Sequence, residues 1–139
     1  MYLLDTNVVS ELRRPKPHGA VLQWFGNLDD GAVAICAATI GEIQSGIEKM
    51  RANDPARARE FDLWLSEIVQ NYVILPHDAA AFRTWGRLMR GKSPTLAMDA
   101  MIASVALTKG LIVATRNVRD FAGFGVKVVD PFGALMDPT

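Results

Sequence analysis

Short runs of consecutive apolar residues alternate with longer amphipathic stretches along the whole chain. The runs fall at 2–4, 32–36, 72–75, 111–114 and 126–129, the last interrupted by Lys127. They are too short for helices and rich in Val, Ile and Leu, the signature of strands buried on both faces. Between them the pattern shifts to helical spacing. A helix over 7–14 is stopped by Pro15-Lys-Pro17, and a second over 19–28 runs into the turn Asp29-Asp30-Gly31. Thr39 opens a helix reaching about residue 52. Asp54-Pro55 supplies an N-cap followed by proline at the first helical position, and the helix it starts carries Phe61, Leu65 and Ile68 on one stripe as far as Asn71. Asp78 caps a helix reaching about residue 90. After a break at 91–94, the most apolar helix of the chain runs over 95–109, with Gly110 in the position that ends helices. Strands alternating with helices predict a three-layer α/β fold, a central parallel sheet of about five short strands with helices on both faces. Residues 1–139 read as a single domain, large enough to bury a core of its own.

Composition narrows the setting. The longest apolar stretch, 100–107, is interrupted by Ser104 and is too short to span a bilayer, and no leader of secretory type precedes Asp5. Cys36 is the single cysteine, so no disulfide can form within the chain, and a cytoplasmic location with no membrane association is expected. The formal net charge of zero argues against a non-specific polyanion binder. Local basic clusters exist nonetheless: Arg13, Arg14 and Lys16; Arg83, Arg87, Arg90 and Lys92; Arg116 and Arg119. Clusters of this kind are usually solvated surface. Beside candidate acids they suit a rim that follows phosphates.

Four acids carry the chemistry: Asp5, Glu42, Asp99 and Asp120. In open parallel sheets the functional crevice lies beyond the carboxyl ends of the strands, and Asp5 directly follows the first of them. Asp5 also suits an N-cap, but Thr6 and Asn7 fill that role equally well. Glu42 fits a capping box with Thr39, and a site position one turn into its helix fits as well. Asp99 is the only charge between Leu96 and Leu107. The helix dipole favours an acid there by only about 0.3–1 kcal/mol. Burying an unmatched carboxylate costs more than that, so a cation is its natural partner. Asp120 is equally well read as a turn acid, and Asn117 competes for its position. Carboxylates gathered at one crevice repel one another unless a divalent cation neutralises them, which points to a Mg²⁺ site and phosphodiester chemistry.

Other chemistries find less support. His18 and His77 lack zinc-type partners, and no Ser-His hydrolase pattern occurs. The stretch Gly86–Ser93 matches the P-loop pattern letter for letter, but it follows a helical pattern where a P-loop requires a buried strand.

The segments Leu3-Leu-Asp-Thr-Asn-Val8, Glu42 in its helix, Leu96-Ala-Met-Asp-Ala-Met-Ile-Ala103 and Ala114-Thr-Arg-Asn-Val-Arg-Asp-Phe121, in that order, resemble the PIN-domain ribonucleases, specifically VapC-type toxins of toxin–antitoxin pairs. The resemblance spans nearly the whole chain. It implies an endoribonuclease dependent on Mg²⁺ or Mn²⁺, a homodimer, and a small antitoxin that silences it. A catalytically silent PIN-like domain that binds RNA or protein is the alternative. On this resemblance Asp5 and Asp99 are the principal metal ligands, Glu42 completes the set directly or through water, and Asp120 holds a second ion. Thr6 orients a carboxylate. Asn117 stands where many PIN domains carry an aspartate, leaving open which of Asn117 and Asp120 completes the site. Arg13, Arg14, Lys16, Arg87, Arg90, Lys92, Arg116 and Arg119 are the expected RNA contacts, and Phe25, Trp64, Trp85 and Met89 the expected apolar interface.

Overall fold

Strand β1 (Tyr2–Leu4) lies at the centre of a five-stranded sheet in the computed structural model, which describes residues 1–136. It is flanked by β2 (Val33–Cys36) and β4 (Ile112–Ala114), with β3 (Val73–Leu75) and β5 (Val128–Val129) at the edges. The order is β3-β2-β1-β4-β5, and every pairing is parallel. Successive side chains on a strand point to opposite faces, and this sorts the core into two layers. Leu3, Ala34, Cys36 and Val113 face one side. There they meet α5 (Ala79–Leu88), α6 (Ala97–Lys109) and α7 (Val118–Ala122). Leu4, Ile35 and Ala114 face the other, against α1 (Thr6–Arg13), α2 (Gly19–Gly26), α3 (Ala37–Arg51) and α4 (Pro55–Asn71). This is the three-layer α/β architecture that the pattern predicts. Among the described residues no helix is long and apolar enough to cross a membrane.

The helix boundaries follow local chemistry where a cap is available. The Asp54 side chain accepts from Arg57 N at 3.2 Å ahead of Pro55, and Asp78 accepts from Ala81 N at 2.9 Å. Gly110 ends α6 in the left-handed region at φ 69°, a conformation that glycine adopts without strain. The expected capping box of Thr39 and Glu42 does not form. α3 starts directly from β2 at Ala37, so Thr39 lies inside the helix, buried, with its hydroxyl 3.5 Å from the Cys36 sulfur. The imidazole of His77, beyond β3, takes over as acceptor for Ala38 N at 3.3 Å. A 3-10 turn (Pro94–Leu96) precedes α6, β5 is only two residues long, and a 3-10 segment (Pro131–Met136) follows it. The P-loop reading fails on structure: Gly86, Arg87 and Leu88 are the last turn of α5, and the Ser93 side chain accepts from Thr95 N at the 3-10 turn. The four residues of the expected apolar interface keep part of their surface open. Phe25, Trp64, Trp85 and Met89 are half-buried against the two core layers, and the Trp85 indole donates to Ala97 O at 3.0 Å.

A carboxylate site at the switch point of the sheet

The chain runs outward from β1 through β2 to β3, then crosses back to β4 on the other side of β1. Strand order therefore reverses between β1 and β4, and a crevice opens at their carboxyl ends. Asp5 ends β1 and Thr115 ends β4, in register across that crevice: Asp5 N donates to Ala114 O at 2.9 Å. Asp5 is 4% exposed. One carboxylate oxygen accepts from Thr6 N at 2.8 Å as the N-cap of α1, and the other accepts from Thr115 Oγ1 at 2.7 Å and Asn7 Nδ2 at 3.2 Å. Cap and site position thus coincide in one residue. Asn7 also accepts from Arg116 N at 3.2 Å, tying the two strand ends together. Neither Asn7 nor Thr115 stands out in the sequence as a supporting residue. The available signal is that each lies within three residues of an apolar run's end, and only strand pairing shows that those ends are neighbours.

Glu42 is exposed, and its carboxylate accepts the hydroxyl of Thr6 in a short hydrogen bond. Asp99 lies in the first turn of α6, half-buried, with no hydrogen-bond partner among the described residues. Asp120 and Asn117 are exposed at α7; Asp120 N donates to Asn117 O at 3.1 Å, but the Asn117 side chain makes no capping bond. Both line a hollow of about 430 Å³ with Arg116, Arg119 and Asp130.

The electrostatics link all four acids. Burial pushes the Asp99 carboxyl up to about 6, and the charges of Asp5, Asp120 and Glu42 push it in the same direction. Asp5 is also raised, by burial first and then by Glu42, against the lowering hydrogen bonds from Thr115, Thr6 and Asn7. None of the four acids is in an ion pair among the described residues. The charge is gathered, yet among the described residues no three acids already converge on one point at ligand distance. An all-oxygen donor set with unmatched negative charge fits a hard divalent cation.

The PIN domain family model matches residues 2–126. The chain belongs to the PIN domain family. It is similar to the VapC ribonuclease Y4jK of Sinorhizobium fredii, at 33% identity over 95% of this chain and 98% of that protein. It is also similar to the tRNA(fMet)-specific endonuclease VapC of Shigella flexneri, at 33% identity over 89% and 92% of the two chains. Among solved structures, FitAcB from Neisseria gonorrhoeae superposes with a TM-score of 0.77 at 29% identity, covering 95% of this chain and 99% of that one.

On this PIN fold the basic candidates fall in different settings. Arg14 reaches Glu11 at 3.4 Å, and Arg116 stacks 4.1 Å from the Phe132 ring centre. Lys16, Arg87, Arg90, Lys92 and Arg119 are exposed, and Arg13 is half-buried against Phe61.

Proposed function

We propose that this chain is the ribonuclease toxin of a toxin–antitoxin pair, cutting RNA at the crevice of Asp5, Glu42, Asp99 and Asp120 with Mg²⁺ or Mn²⁺. One observation carries the reading: four acids gather at a strand-order reversal without an ion-pair partner among the described residues, and burial, with the charges of Asp5, Asp120 and Glu42 behind it, raises Asp99 to about 6. Family membership and the names borne by relatives, VapC ribonuclease and VapC endonuclease, support RNA as the substrate.

Asp5 is the fixed member of the ligand set, because three donors hold its carboxylate and burial limits its motion. Asp99 presents an unbonded carboxylate from the start of α6 and is the second principal ligand. When bound, the ion supplies Lewis acidity toward a phosphate oxygen and makes water more acidic. Glu42, steered by the Thr6 hydroxyl and open to solvent, is placed to take the proton of the attacking water. Asp120 adds charge from the exposed rim, and Asn117 adds a neutral oxygen. Thr115 and Asn7 keep Asp5 aimed, as partners of ligands do in metal sites. Arg13, Arg116, Arg119, Arg87, Arg90 and Lys92 supply the positive rim for the strand.

The same reading takes residues 1–139 as one cytoplasmic PIN domain, dimeric at rest and silenced by a small antitoxin. Purified protein is expected to cleave RNA with Mg²⁺ or Mn²⁺ and to stop in EDTA. Asp5→Asn and Asp99→Asn are each expected to remove cleavage with the fold retained. Full activity in both variants sinks the site assignment.

A further inference from the structure

A groove leads away from the acids between α1, α3 and α4, with a volume of about 290 Å³. It starts at Thr6 and Glu42, passes Trp64, and ends where the Arg13 guanidinium lies 3.8 Å from the centre of the Phe61 ring. Arg57, one turn earlier than Phe61 on α4, faces the same ring at 5.6 Å. Neither arginine is in an ion pair among the described residues. Burial, then Arg57 and Arg14, pull the Arg13 guanidinium below its ordinary value. An aromatic ring stabilises a cation beside it, but the two like charges gathered around Phe61 repel each other. An anion accepting hydrogen bonds from both guanidinium groups removes that repulsion.

We propose that Arg13 and Arg57 clamp a backbone phosphate of the RNA strand flanking the scissile bond, with the intervening nucleoside in the groove and its base against Trp64. The inference rests on the ribonuclease reading above and adds to it a strand path and two positioning residues. Thr6 and Arg13 are seven residues apart on α1, about 10 Å along the helix axis. The clamp therefore meets a neighbouring phosphate and not the one being cut. Thr6 and Glu42 belong to both the groove and the acid site, so a strand reaching the acids has a continuous path to the clamp. An apolar peptide side chain would fill the groove but leave both guanidinium groups unmatched. Stacking on an aromatic ring tolerates every base, so the groove sets where the strand lies without reading its sequence.

The test is fluorescence anisotropy of a short labelled single-stranded RNA of mixed sequence, with the full chain in EDTA so that the strand stays intact. Arg57→Gln is expected to weaken binding several-fold. It should also reduce the slope of log affinity against log salt by about 0.7, the value for one phosphate contact on a single strand. Arg57→Lys should keep most of that slope. Trp64→Leu should weaken binding about tenfold with the slope unchanged. Arg57 is exposed, so its replacement leaves the fold intact, which an unchanged thermal melt verifies. Wild-type affinity and slope in both Arg13→Gln and Arg57→Gln would overturn the clamp. So would loss of antitoxin binding in these variants with RNA binding unchanged, since the groove would then be a protein-docking surface. A wild-type chain that neither binds nor cuts RNA ends the ribonuclease reading itself. A wild type that binds and cuts, with Arg13→Gln and Arg57→Gln both unaffected, ends the clamp alone.

Discussion

Glu11 and Asp5 are both buried carboxylates, 7% and 4% exposed, but their surroundings differ in kind. Glu11 accepts from His18 N at 3.0 Å and meets Arg14 at 3.4 Å, so its charge is matched within the fold. Asp5 has hydrogen bonds but only other acids as charged neighbours at the crevice, and Asp99 lacks even the hydrogen bonds. A group whose folded pKa lies above its unfolded one binds more protons in the folded state, so stability falls as pH rises between the two. For Asp99 that window runs from the ordinary carboxyl value of 3.8 to about 6. Without metal, Asp99→Asn is therefore expected to melt higher than wild type at pH 7, with the gap closing near pH 4. A melting scan across that range in EDTA checks it, and a gap independent of pH would show that Asp99 is not the strained acid. At α7 the choice between Asp120 and Asn117 can also be measured. An amide coordinates without contributing charge, and Asp120 sits at the exposed rim where water competes. Asp120→Asn is expected to slow cleavage substantially, less than Asp5→Asn or Asp99→Asn, with partial rescue at higher metal concentration. Asn117→Ala should cost less than any of them. Wild-type rates in Asp120→Asn together with a dead Asn117→Ala would reverse the assignment.

Among the elements, α6 joins the fold to the site. Ala100 and the run Ile102–Ala106 are buried, so the helix passes through one core layer while its first turn delivers Asp99 to the crevice. Ile102 is fully buried. Ile102→Ala is expected to cost about 2–5 kcal/mol, the range for a large-to-small change in a packed core. Urea denaturation measures it, and a loss below about 1 kcal/mol would mean that α6 is not tightly packed. The apolar run and Gly110 make this helix plain in the sequence, because both are local signals. The start of α3 is not local. Thr39 and Glu42 satisfy the capping-box pattern, but β2 leads straight into α3 and places Thr39 under the sheet beside Cys36. Glu42 is then free to meet Thr6 of a different helix.

For the whole molecule, the strand order sets where chemistry can occur, since the chain leaves β1 for α1 on one face of the sheet and β4 for α7 on the other. The surface bears on assembly. With Phe25, Trp64, Trp85 and Met89 half-buried on the core, the exposed large apolar residues include Leu63 and Val69 of α4 and Val73 of edge strand β3. These three sit on consecutive elements. A dimer through that side is expected, and Leu63→Glu with Val69→Glu should shift light scattering from dimer to monomer. A wild-type monomer at micromolar concentration would count against it.

The periodicity by itself determined the alternation of strands and helices, the caps at Asp54, Asp78 and Gly110, and the buried character of the sheet. Each of these depends on residues within a few positions of one another. The unmatched charge of Asp99 was equally legible, because its apolar neighbours are adjacent in sequence. Only the tertiary structure decided that Thr115 holds Asp5, that Asn7 meets Arg116, that Thr6 steers Glu42, and that Arg13 and Arg57 share one ring. Those contacts join residues dozens of positions apart, and hydrogen bonds and charges act through space, so their partners exist only once the strands have paired.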